Sequence, residues 1–128
     1  MQLRTIVCFC GILGVSLTAL PAAAHHGWAG QSPNEQISLT GKVSEPVDLS
    51  GPHATMKIEV DGKVWDITLA PPARTERAGL TAATLEVGDE VTILGNRNLD
   101  EAKLEVKTVR VTADGKNYDV YPDRVRES

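Results

Sequence analysis

Short runs that alternate apolar and polar residues organise most of this chain. Ile37, Leu39 and Val43 fall on one side of an extended segment, with Ser38, Thr40 and Lys42 on the other. Met56, Ile58 and Val60 alternate with Lys57 and Glu59. Asp61-Gly62 follows, and then Trp65, Ile67 and Leu69 alternate with Asp66 and Thr68. Asp and Gly tolerate the positive φ of a tight primed turn, so the pattern predicts a β-hairpin. Pro71-Pro72 ends the second strand, because proline cannot donate to a ladder. Pro72 can then open a short helix, ARTERA, stopped by Gly79.

Further strands are predicted over Glu90 to Gly95, over Leu104 to Thr112, and around Tyr118 to Tyr121 after a second turn at Asp114-Gly115. The apolar phase slips between Val106 and Val109, which predicts a bulge or bend. The whole reads as an all-β fold. The expected architecture is a small OB-like β-barrel of five to six short antiparallel strands, with one short helix after the third strand.

The first two dozen residues follow a different rule. Arg4 is a positive start, Thr5 to Leu20 is an uncharged apolar run, and Pro21-Ala22-Ala23-Ala24 supplies small residues. That is the layout of a secretory signal peptide, and the run is short for a membrane span. A cut after Ala24 puts alanine at both positions that signal peptidase reads, Ala22 and Ala24. The expected organisation is a signal peptide (1–24), a flexible N-terminal segment (25–35), the barrel (36–122) and a C-terminal tail (123–128). The expected location is the periplasm, with no integral membrane segment after processing.

Processing changes the chemistry that remains. Cys8 and Cys10 leave with the signal peptide, so the mature chain has no thiol and no disulfide. Any metal must be held by histidine, carboxylate or backbone groups. Once Arg4 is gone, twelve basic residues face seventeen acidic ones. A polyphosphate prefers a basic surface, so nucleic acid is excluded as an expected partner.

Several motifs together carry a resemblance. They are Ala24-His25-His26-Gly27-Trp28, Leu39-Thr40-Gly41-Lys42-Val43, Gly51-Pro52-His53-Ala54, Trp65 to Pro71, and Glu86 to Gly95. In this order the chain resembles a family of small exported bacterial proteins classed as a domain of unknown function. Gly51 stands where that family has Asn before Pro-His. Thr55 stands where an aromatic residue often follows His-Ala, which weakens the case for an aromatic pocket beside His53. The resemblance implies compartment and fold and brings no activity.

All three histidines of the mature chain fall on those motifs. With His25 as the N-terminus, its α-amine and imidazole can chelate one metal, and His26 or His53 can add a nitrogen. Such donors favour Cu(II) along the divalent series. The α-amine titrates at about 7.7 to 8.0, so a metal can displace its proton near neutral pH. A cut after Ala23 would instead leave Ala24-His25-His26, whose third-place histidine also suits Cu(II). The expected site is therefore a copper site at His25, His26 and His53.

The competing reading is a non-catalytic OB-like module that binds a protein or small molecule of the envelope. In that case the terminal histidines are idle and His53 bonds locally in its turn. No catalytic triad spacing, phosphate loop or carboxylate pair stands out, and no enzymatic role is expected. Trp65 is in phase with Ile67 and Leu69, as a core residue would be. Trp28, beside glycine, fits either a cover for the barrel or a shield for a metal. Arg74, Glu76 and Arg77 read as a solvated helix face, with an anion site as the minor alternative.

Overall fold

The computed structural model describes residues 28–126. The predicted signal peptide, His25 and His26 lie outside the described residues. Strand β1 spans Gln31–Asp48, β2 Thr55–Val60 and β3 Lys63–Thr68. Helix α1 covers Pro72–Arg77. Strands β4 (Glu90–Asn98), β5 (Glu105–Ala113) and β6 (Lys116–Asp119) follow, and a 3-10 turn at Pro122–Arg124 ends the fold. Among the described residues no helix is long and apolar enough to cross a membrane.

The fold is all-β, and its strands close into a ring. β1 pairs with both β2 and β4, β2 with β3, and β4 with β5, all antiparallel. The ring is closed by β3 against β5, and that pairing is parallel, unlike the all-antiparallel set expected. A crossover through α1 and β4 separates the two strands, so they can run the same way. β6 extends β5 outside the ring.

Both Asp-Gly turns form as the sequence requires. Asp61 and Gly62 take φ of +50° and +76°, and Asp114 and Gly115 take +50° and +73°. The predicted bulge is also present. Leu94 faces Arg110 and Gly95 faces Thr108, so Val109 is the extra residue on β5. Helix α1 starts on Pro72, and Gly79 stops it at φ +102°.

The inward positions of the hairpin are the expected ones. Met56, Ile58, Trp65, Ile67 and Leu69 are buried and join Val91, Ile93, Val106 and Val111 in one core. Each side chain of this kind contributes about 1.5–3 kcal/mol by leaving water.

The two ends of the domain depart from expectation. β1 begins at Gln31, inside the segment expected to be loose. Gln31 pairs with Asn98, and the chain bulges before the ladder resumes at Gln36 opposite Asn96. The C-terminal tail is tied down as well. The Arg126 guanidinium donates to the carbonyls of Asn34 and Pro33, and its backbone N–H donates to Gln36 Oε1. Polar composition suggested loops at both ends, yet each end supplies the hydrogen-bond partners of the other.

Candidate functional site

β5 carries the site, because successive side chains of a strand point to opposite faces. Val106 enters the core, so Lys107 must point out of the ring. It is nevertheless only 1% exposed. Its ammonium donates to the Leu69 carbonyl at 2.8 Å. Trp28 and Tyr121 cover the rest, with ring centroids 5.7 and 5.5 Å from Nζ. The two rings meet edge to face at 5.2 Å. Burial lowers the Lys107 pKa to about 8, and the negative charge of Glu105 only partly opposes this.

Two arginines complete the cluster. Arg124 lies over the Trp28 ring at 4.2 Å, and Arg74 lies over the Tyr121 ring at 5.1 Å. The Trp28–Tyr121 pair thus has Lys107 on its protein side and an exposed guanidinium on each ring. Burial raises the Tyr121 phenol above its usual range, while the charges of Arg74 and Arg124 pull it back down. The phenol stays protonated at neutral pH and can donate a hydrogen bond.

His53 sits in the turn between β1 and β2, half-buried. Its pKa is lowered first by burial and second by the positive charge of Lys107. The imidazole is therefore neutral at neutral pH, the form a metal needs, but a neighbouring ammonium works against a cation there. Among the described residues His53 is the sole histidine. No three His, Cys, Asp or Glu side chains among them converge as a metal site would require. His25 and His26 lie outside the described residues, and only their place in the chain, just before Trp28, is fixed.

A groove of about 500 Å³ opens on the outer side of Trp28, bounded also by Pro33, Asn96, Leu99 and Arg124. Leu99 is 64% exposed there. Asn96 is buried and spends its amide on the Ser32 carbonyl at 2.6 Å, which shapes the floor.

A family model matches residues 14–106 of the chain. The chain belongs to the family of unknown function DUF6152. The part that matches the DUF6152 model holds Trp28, His53 and Arg74, and it stops short of Lys107, Tyr121 and Arg124. No curated protein matches this DUF6152 chain. Among solved structures, apo TiaS, described as a tRNAIle2 agmatidine synthetase, is 19% identical with a TM-score of 0.48. The likeness covers 62% of this chain and 18% of that one, so the chain spans under a fifth of the protein it matches.

Sequence reasoning singled out His53 and Trp28, and the structure places both around Lys107. It missed Lys107, Tyr121 and Arg124, and it read Arg74 as solvated. Arg74 is exposed, but it lies over a ring. One signal was available, since alternation from buried Val106 turns Lys107 outward. Nothing local in the sequence indicated that two distant aromatic residues would cover it.

Proposed function

We propose that the protein is an exported periplasmic β-barrel that binds copper through His25 and His26 at its processed N-terminus. His53 is a third nitrogen donor in this reading. The observation that carries it is the fixing of Trp28 by Tyr121, Arg124 and Lys107. Trp28 is two residues beyond His26, and two residues span about 7 Å at most. Trp28 packs against Lys107, whose charge also acts on His53, and this supports a reading in which the three histidines share one metal. The α-amine and His25 form the chelate, and a neutral His53 adds to it without first losing a proton. No catalytic step is assigned.

The test is titration of Cu(II) into protein whose cut after Ala24 is verified by intact mass, followed by EPR. The expected result is nitrogen-rich coordination with a Kd below about 1 μM. Acetylation of the His25 α-amine should weaken it about a hundredfold, and His53→Ala should change the spectrum with a smaller loss. Binding no tighter than that of a variant lacking all three histidines would refute the reading.

The second reading is a binding module without metal. The groove beside Trp28 supports it, because its size is that of a small-molecule site and it joins apolar Leu99 and Pro33 to a charged Arg124.

A further inference from the structure

A guanidinium over an aromatic ring is held by cation–π attraction, and its N–H groups can still donate to acceptors. Arg74 and Arg124 lie over Tyr121 and Trp28, at 5.1 and 4.2 Å from the ring centroids. Among the described residues neither guanidinium donates a side-chain hydrogen bond, and neither forms an ion pair. The ion pairs among those residues are Lys57 with Glu45 and Arg110 with Asp119. Asp123 borders the same surface beside Arg74 without pairing to it. Behind the rings, Lys107 holds a third positive charge, and its partner is a carbonyl. The carboxylate of Glu105 is occupied by Gln31 and Asn98.

Three cations thus gather around one aromatic pair in a chain of net charge −4. Arg74 lies over the Tyr121 ring itself and Arg124 over its neighbour Trp28, and both charges act on the Tyr121 phenol. Two exposed guanidiniums, a protonated phenol and a buried ammonium behind them are complementary to several negative oxygens at once.

We propose that Arg74, Tyr121 and Arg124 form a binding site for a small multivalent oxyanion carrying phosphate or carboxylate groups. The guanidiniums each donate to a pair of oxygens, the Tyr121 hydroxyl donates to a third, and Lys107 contributes field without contact. The site does not depend on the histidines, and it gives the metal-free binding-module reading a ligand class.

The experiment uses metal-free protein, so that its failure and the failure of the copper reading are distinguishable. Pyrophosphate and citrate are titrated separately at constant ionic strength, following the Trp28 indole and arginine Nε–H signals by NMR. The expected result is saturable binding with a Kd below roughly 1 mM at low salt, weakened as salt rises. Arg74→Gln and Arg124→Gln should each weaken it about tenfold, and Tyr121→Phe less. Lys63→Gln, on the exposed hairpin turn, should leave it unchanged. Binding of pyrophosphate alone assigns a phosphate ligand, and binding of citrate alone assigns a carboxylate. Absence of saturation with both, or full affinity in the double arginine variant, would overturn the proposal. Normal thermal unfolding of each variant separates loss of the site from loss of the fold.

Discussion

Val106 and Lys107 are consecutive on β5 and equally withdrawn from water, at 0% and 1% exposure. Their burial has different origins. Val106 is enclosed by the ring itself, among side chains such as Ile67 and Ile93, which the strand pattern had already turned inward. Lys107 is enclosed by Trp28 and Tyr121, which flank the strands of the ring in sequence, one before β1 and one after β6. The inner face rests on apolar packing, which is large and cooperative. The outer layer rests on cation–π contacts and a few hydrogen bonds, each worth about 0.5–2 kcal/mol. Equal burial here conceals unequal stability. The part with chemistry to offer is the weaker one.

The largest expected effect comes where the two faces touch. Gly95 sits opposite the β5 bulge, and a Cβ there would run into the Lys107 carbonyl oxygen and lie 2.7 Å from Val106 Cγ1. Backbone on one side and core on the other leave nothing that can yield. Gly95→Ala should cost about 3 kcal/mol or more in urea unfolding. A loss below about 1 kcal/mol would mean that β4 and β5 can separate at the bulge, and that the two faces are not rigidly coupled.

Ile93→Ala breaks the inner face alone. Ile93 is fully buried, and its truncation should cost about 3 kcal/mol with a single cooperative transition. A far-UV circular dichroism transition that splits in two would contradict this.

Next in size is the effect of charge on the outer face. The Lys107 pKa is about 8 in the fold, against 10.5 when exposed. Between those values the unfolded chain holds a proton that the fold has released, so stability rises with pH across that window. Below about 8 both states are protonated and the penalty for burying the charge is fully present. The wild type should therefore gain about 2 kcal/mol from pH 7 to pH 9.5. Lys107→Met should remove this gain, since methionine fits the apolar surroundings and does not titrate. An unchanged slope in that variant would show that Lys107 does not carry the effect.

This division also explains what could be read in the sequence. The hairpin at Asp61-Gly62, the start of α1 at Pro72 and the bulge near Val109 are local matters. Each follows from turn chemistry or from a slip in apolar phase within a few residues. The extent of β1 was not legible, because Ser32, Pro33 and Asn34 look like a loop until Asn96 donates to the Ser32 carbonyl and Arg126 to those of Pro33 and Asn34. The candidate site was half legible. His53 and Trp28 stood out by type and spacing. Lys107, Tyr121 and Arg124 become a site only when the segments before β1 and after β6 meet over β5, and single-strand periodicity cannot register that meeting.

The mildest substitution is expected to separate the two faces of β5. Gln36 ties the ends together, as its amide donates to the Arg124 carbonyl at 2.7 Å and its Oε1 accepts from the Arg126 backbone at 3.2 Å. Both bonds are exposed to water, so Gln36→Ala should cost less than about 1 kcal/mol of global stability. Its consequence should be local. Arg126 loses the acceptor of its amide, so its hydrogen exchange should speed up about tenfold, while the Ile93 amide exchanges at the wild-type rate. Arg124 would then be freer to leave the Trp28 ring, and the indole signal should shift although the core does not change. If Ile93 exchange accelerates in parallel with Arg126, the outer layer opens only with the core. The two faces of β5 would then form one cooperative unit, and burial alone would have been a sufficient guide to stability.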